Sequence, residues 1–335
     1  LIDGKLIAID GTKIRAQNSR HNCITQSGLS KKIEYAEAQI NAYLMAIEKD
    51  DTSNDDLKEK LQTYQNLKEQ YLNQKQELKD EGLEQKSLTD TDSRRMKNNG
   101  SLDICYNVQS VVDSQNHFVI DISTTNDIND QNQLYVMAKD ATELLDVENP
   151  TVIADTGYYN GTEIKNCIDD GMNVFIKKAK ANNSTKDNEF RKEKFLYDKE
   201  RDVYVCPAGN ELPFFENTSK NGMKYRKYKC SNCNSCKYKK ACTSSGTGRT
   251  IQRWEHESIL ESVYQDTWNN NDIYKQRRCI VEHPFGTVKR TLGYSFFLRC
   301  QMDNVDAEAA SMFIAYNFKR LLSMFSTQEL IKKFR

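Results

Sequence analysis

The chain has 335 residues, 38% hydrophobic and 29% charged, a composition suited to one large globular domain or two modest ones. No run approaches the roughly 18 consecutive apolar residues of a membrane span, and Leu1-Ile2-Asp3 opens without the basic region and apolar run of a signal peptide. Basic and acidic residues balance at 48 each, without the overall excess of a stand-alone nucleic-acid binder. The chain lacks an initiator Met, so it is expected to begin inside a longer one.

Leu6-Ile7-Ala8-Ile9 is a short apolar run of the kind a buried central strand shows, and it is predicted to end at Asp10-Gly11. A carboxylate at the end of a rigid strand is well placed for chemistry. Ile33, Ala36, Ile40, Tyr43 and Ile47, then Leu57, Leu61, Tyr64, Leu67 and Tyr71, recur at helical steps around the polar stretch Asp50–Asp55. This predicts an antiparallel helical hairpin inserted after the first strand. Ile104–Val112 and Phe118–Ile122 read as a β-hairpin, Leu134–Leu145 as a helix, Thr151–Ala154 as a strand ending at Asp155, Thr162–Ile168 as a short helix and Met172–Ile176 as a further strand.

Residues 178–250 show no clear period. Within them Lys220–Arg249 carries nine basic residues and no acidic one. Such a block either holds phosphates or is a solvated loop. Helical pattern resumes near Ile259, runs through Tyr274 to Arg290, and returns over Asp306–Met324.

Asp10 and Asp155 thus end the first and fourth of the expected strands, and Glu282 lies on a helix after the fifth. Three converging carboxylates suit Mg²⁺, which prefers hard oxygen ligands. Two such ions, about 3.5–4 Å apart, stabilise the attacking and leaving oxygens of an in-line displacement at phosphorus. Tyr274, Arg278 and Glu282 are spaced by four and share a helical face, with Lys289 close to it. Pro284 predicts a break or kink beside Glu282.

Ile9-Asp10-Gly11-Thr12-Lys13, Ala154-Asp155-Thr156-Gly157-Tyr158-Tyr159 and Tyr274-x-x-Arg277-Arg278-x-x-x-Glu282, followed by Lys289, resemble the three catalytic blocks of DDE insertion-sequence transposases with a Tyr-Arg-Glu-Lys signature. Met96-Lys97, Cys105–Gln109 and Val281–Lys289 extend the resemblance over nearly the whole chain. It implies an α/β, RNase H-like mixed sheet flanked by helices, with a helical-hairpin insertion and a cysteine-rich insertion. It also implies Asp10, Asp155 and Glu282 as ligands of two Mg²⁺ (or Mn²⁺) ions, and Tyr274, Arg277 or Arg278, and Lys289 as DNA contacts. Tyr274 pairs with Arg277 by one signature spacing, whereas Arg278 fits the other, so both arginines stand. Family members carry a helical segment before the first catalytic strand, which this chain does not include. The implied partners are transposon-end and target double-stranded DNA, with a homodimer on DNA. The implied setting is the bacterial cytoplasm, associated with the nucleoid.

Ten cysteines divide into five scattered (Cys23, Cys105, Cys167, Cys279, Cys300) and five between Cys206 and Cys242. This distribution suits a reducing, cytosolic compartment better than a disulfide framework. Cys230-x-x-Cys233-x-x-Cys236, then Cys242, with Cys206 upstream, has the spacing of a structural zinc site. Cys206, Cys233, Cys236 and Cys242 are the first choice of ligands and Cys230 the alternate. An Fe–S cluster and unmetallated thiols are the competing readings. His21, His117, His256 and His283 are dispersed, and His283 is expected to pack between helices.

The expected division is 1–30, first catalytic strand and loop; 31–88, helical hairpin; 89–180, RNase H-like core; 181–255, cysteine-rich basic insertion; 256–335, helices completing the core. The expected activity is DNA cleavage and strand transfer. A nuclease without strand transfer and an inactive DNA-binding relic are the alternatives.

Overall fold

The computed structural model describes residues 1–19, 22–49, 55–178 and 188–333. The chain opens with β1 (Leu6–Arg15) and β2 (Cys23–Thr25), then forms two long helices, α1 (Gln26–Lys49) and α2 (Asp55–Asp80), and β3 (Gln85–Ser87). Next come β4 (Arg94–Asn98), β5 (Ser101–Asp113), β6 (Val119–Thr125), α3 (Leu134–Leu145), β7 (Thr151–Ala154), α4 (Gly161–Asp169) and β8 (Asn173–Ile176). The following segment holds β9 (Leu196–Asp198), β10 (Val203–Val205), β11 (Glu211–Lys220), β12 (Met223–Lys229), α5 (Lys239–Cys242) and β13 (Thr250–Trp254). Four helices close the chain: α6 (Glu257–Asn269), α7 (Asn271–Gly286), α8 (Met302–Met324) and α9 (Thr327–Lys333).

The main sheet runs β4-β5-β1-β7-β8, with β6 also on β5. β5 is antiparallel to β1 and β6, while β7 is parallel to both β1 and β8. Parallel strands at the middle of a sheet are covered on both faces, which is why their sequences are continuously apolar. Alternation then divides the side chains between two cores. Ala8, Ile14, Tyr106, Val108 and Ile153 meet Ile280, Val281 and Val288 around α7, and Val305, Met312 and Phe313 of α8. Ile7, Ile9, Val111, Val152 and Ala154 meet Leu134, Met137 and Ala141 of α3, Ile164 of α4 and Val263 of α6.

The predicted ends of several elements shift. β1 does not stop at Asp10-Gly11, because Gly11–Arg15 continue the antiparallel ladder from Gln109 to Cys105. Only its parallel ladder with β7 stops there, at Ile9 opposite Ala154. Pro284 does not break the helix beside Glu282. It is buried inside α7, and the irregularity falls one turn later, in a π-helical turn over Thr287–Thr291 closed by the Leu292 amide on the Thr287 carbonyl at 2.9 Å.

The segment without readable period forms a five-stranded antiparallel sheet, β13-β12-β11-β10-β9. β9 and β10 are three residues long and β11 is exposed along most of its length, too little for an in–out alternation to be read; β12 and β13 are longer and partly buried. The helical hairpin is present as α1 and α2, with Tyr43 stacked on Tyr64 at 5.7 Å. Most of its predicted turn, 50–54, lies outside the described residues, as does His21. Ile24, Leu29 and Leu78 form a small core at its base, where β2 pairs with β3. No described helix is long and apolar enough to cross a membrane.

Candidate active site

The site lies at the end of the sheet where β7 stops and β1 runs on. Alternation from Ala8 and Ile153 turns Asp10 and Asp155 to the face that α7 covers. Each carboxylate is tied to the backbone just after it. The Gly11 amide donates to Asp10 Oδ1 at 2.9 Å and the Gly157 amide to Asp155 Oδ1 at 2.6 Å. Arg277 of α7 donates to Asp10 Oδ2 at 3.3 Å, with both side chains largely covered. Burial pushes the Asp10 carboxyl up to about 6, Arg277 opposes that rise, and the nearby Asp155 and Asp130 charges add to it. A carboxyl held this high, beside two other acids and one cation, marks a candidate functional site.

The opposite face of the same strand end carries a polar network that sequence reading missed. Asp130, in the loop between β6 and α3, accepts at Oδ1 from Asn107 Nδ2 (2.6 Å), Gln109 Nε2 (2.8 Å) and Lys13 Nζ (3.3 Å). Gln109 in turn accepts from the hydroxyl of Tyr158, which is fully buried. Gly11 makes this approach possible: a Cβ there would stand 2.6 Å from Gln109 Nε2 and 3.0 Å from Asp130 Oδ1. Gly157 completes the contact, its Cβ position lying 3.6 Å from Asp130 Oδ2. The legible signal was Asn107 and Gln109, two polar residues spaced by two within an apolar strand. Both are fully buried and so require a partner.

The other predicted residues are placed as follows. Tyr274 lies beside Arg277 and Asp155, and burial raises its phenol above the ordinary value. Lys177 stands 4.5 Å over its ring. Of the two arginines, Arg277 reaches the carboxylates, while Arg278 pairs with Glu282 at 2.7 Å, both well exposed. Glu282 is therefore not brought to Asp10 and Asp155: the Glu282 carboxylate faces solvent, one residue beyond the buried Val281. Lys289 turns inward through the π-helical turn and donates to Thr12 Oγ1 (2.6 Å) and to the Lys13 carbonyl (2.9 Å). Burial lowers its ammonium below the usual lysine value. His283 packs between helices as expected, its Nδ1 2.8 Å from the Tyr316 hydroxyl of α8.

The five clustered cysteines are brought together around one small cavity, and all ten cysteines are free thiols. Among the described residues, no three His, Cys, Asp or Glu side chains are arranged to hold a metal ion as they stand.

Residues 205–322 match a family model described as a transposase DDE domain. The match takes in the cysteine cluster, Tyr274, both arginines, Glu282 and Lys289, while Asp10 and Asp155 lie outside it. No curated protein matches the sequence. A solved structure, the cryo-EM piggyBac transposase synaptic complex with hairpin DNA, aligns over 68% of this chain and 44% of that one, with 11% identity and a TM-score of 0.26. The chain thus spans under half the length of that protein.

Proposed function

We propose, from the premise that residues 205–322 belong to the transposase DDE domain family, that the chain is the catalytic part of a metal-dependent DNA transposase acting at insertion-sequence ends. One observation carries the reading: Asp10 and Asp155 converge on the α7 face of two neighbouring parallel strands, with the Arg277 cation already on one of them. The strand order β6-β5-β1-β7-β8, antiparallel in its first half and parallel in its second, supports an RNase H-like core. On this reading 31–88 and 181–255 are insertions into a core formed by 1–30, 89–180 and 256–335.

The donor set fits a hard divalent cation. Each acid accepts a backbone amide at Oδ1, and the Arg277 guanidinium on Asp10 Oδ2 marks where that carboxylate accepts positive charge. Asp10 and Asp155 would hold Mg²⁺ (or Mn²⁺), with Glu282 completing the set by leaving Arg278. Two such ions, when bound, activate water and stabilise the attacking and leaving oxygens at phosphorus. The chain's own residues position the DNA. Arg277 and Tyr274 are placed to meet the backbone beside the scissile phosphate, and the exposed Arg278, once released by Glu282, would bind a neighbouring phosphate. Lys289 holds Thr12 and Lys13 of β1, and so fixes the strand that carries Asp10. The products are a nicked end and, after attack by its 3′-hydroxyl, a joined strand. A homodimer on DNA and a structural zinc ion in the cysteine-rich segment belong to the same reading.

The test is Mg²⁺-dependent cutting of DNA carrying the element's own ends, comparing the protein with its Asp155→Ala variant. The expected result is loss of cutting with DNA binding retained. Equal cutting by both proteins would show Asp155 to be an ordinary turn residue and overturn the reading. Precut ends separate transposase from nuclease: joined product supports strand transfer, and hydrolysis alone supports the nuclease.

A further inference from the structure

Five thiols converge where β10, α5 and the β12–β13 connection meet. Cys206 follows β10, Cys230 follows β12, Cys233 lies in the single turn Asn232–Ser235, Cys236 ends that turn, and Cys242 closes α5. All five line one cavity of about 20 Å³, together with Phe190, Phe195 and Leu212 and the polar Asn210, Lys239, Thr243 and Arg249. That volume admits a single atom-sized occupant. Asn210 N–H donates to Cys206 Sγ and Arg249 N–H to Cys233 Sγ, each at 3.3 Å, and the Asn232 amide reaches Cys230 as well. Gly248 allows the second contact. It has a positive φ of 95°, and a Cβ there would stand 3.0 Å from the Cys230 carbonyl and 3.1 Å from Cys233 Cβ.

We propose that this cavity is a structural tetrathiolate site for one thiophilic divalent cation, Zn²⁺ first, bound by Cys206, Cys233, Cys236 and Cys242, with Cys230 a buried thiol outside the ligand set. This deepens the zinc reading given with the function and is independent of the catalytic one. The ligand choice follows the Cys-x-x-Cys-x-x-x-x-x-Cys spacing of Cys233, Cys236 and Cys242, which Cys206 joins from the end of β10 in the same cavity. Four thiolates around Zn²⁺ leave a net charge of −2, which the basic residues at the rim, Arg249 and Lys239, offset. The exchange is balanced: one Zn²⁺ enters, four S–H bonds become four Zn–S bonds, and four protons leave to solvent. No redox partner is involved. Loading draws the sulfurs inward by side-chain rotation, since no three of them stand ready to hold an ion. The bound ion would fasten the end of β10 to the segment between β12 and β13, and so hold as one unit a sheet in which β9 and β10 are short and β11 is exposed.

The experiment measures metal by mass spectrometry in the full chain purified without chelator, then replaces it with Co²⁺ and records the visible spectrum. The parent is expected to hold about one zinc per chain and to give the d–d bands of tetrahedral cobalt. Cys230→Ser keeps the metal, and Cys233→Ser and Cys242→Ser lose it. Because a serine variant can fail to fold, Cys236→His is the second arm. An imidazole replaces a thiolate as ligand, so this variant keeps the metal and loses about a quarter of the sulfur-to-cobalt charge-transfer intensity. A parent that takes up no zinc or cobalt, that carries iron instead, or whose spectrum is unchanged by Cys236→His would overturn the proposal. Asp155→Ala retains its zinc in every case, so loss of cutting with zinc intact bears on the catalytic reading alone.

Discussion

Replacing Asp130 by Ala removes one acceptor and leaves three donors without it. Asn107 and Gln109 are the decisive pair, because both are fully buried and their amide nitrogens stand 2.6 and 2.8 Å from the carboxylate; Asn107 Nδ2 keeps a longer bond to the Asp127 carbonyl at 3.3 Å. A hydrogen bond to a charged group contributes about 1.5–3 kcal/mol, and a buried donor left unsatisfied costs about 1–3 kcal/mol. One donor left unsatisfied, at Gln109, and one charge-assisted bond lost, at Asn107, set the expected loss at about 3–5 kcal/mol, with Lys13 adding less. Asp130→Asn keeps the shape and one acceptor oxygen but not the charge, and should lose roughly half as much. Urea unfolding followed by circular dichroism reads both variants against the parent, at constant slope. An Ala variant within about 0.5 kcal/mol of the parent would refute the claim that Asp130 organises this strand end. So would an Asn variant as unstable as the Ala variant.

The Glu257 carboxyl is pushed up by burial but held below its usual value overall by Lys192 at 2.9 Å and by the Trp254 amide. A depressed folded pKa contributes stability that is full above the unfolded value of about 4.3 and is lost as pH falls through the folded one. The stability gap between parent and Glu257→Gln should therefore be open at neutral pH and close on acidification; a gap that is constant with pH would count against the ion pair. Leu78→Ala empties part of the small core under the helical hairpin and is expected to cost about 2–5 kcal/mol locally. Hydrogen exchange should show this in α1 and α2, with the main sheet as protected as before. Tyr316→Phe removes the hydroxyl that donates to the His117 carbonyl at 2.7 Å and meets His283 at 2.8 Å. A loss of about 1–2 kcal/mol in urea unfolding is expected, and no loss would mean that this junction of α7 and α8 is held by packing alone.

Elements whose burial is one-sided or complete could be read directly. Leu134–Leu145 and Thr151–Ala154 have the bounds expected of them, because helical period in one case and a short apolar run after Pro150 in the other leave no competing structure. Asp10 and Asp155 were legible for the same reason, each standing where an apolar run gives way. Glu282 shows the limit of spacing arguments. The four-residue step correctly puts Arg278 and Glu282 side by side, but a shared face is not yet an inward face. The apolar residues Ile280, Val281, Pro284 and Val288 decide which side of α7 meets the sheet, and they bring Arg277 to it instead. The Asp130 network was hidden because its centre sits in a polar loop that looks like any other turn. Its signature lay in the strand that receives it. The sheet over 196–254 escaped because β9 and β10 are too short, and β11 too exposed, to carry a detectable alternation.

The pairing of β2 with β3 places Cys23 opposite Ser87, so the chain leaves the main body and returns to it through a single narrow gate. What happens beyond that gate is cheap in chain entropy: the cost of closing a loop rises only with the logarithm of its length, about 0.6 kcal/mol per doubling. The arm can therefore lengthen, shorten or change its outer face over evolutionary time while the strand that carries Asp10 keeps its register. For the experimenter the same gate is a splice point. A foreign helical hairpin or a reporter domain joined between Ile24 and Lys86 would meet the main sheet only through two short strands.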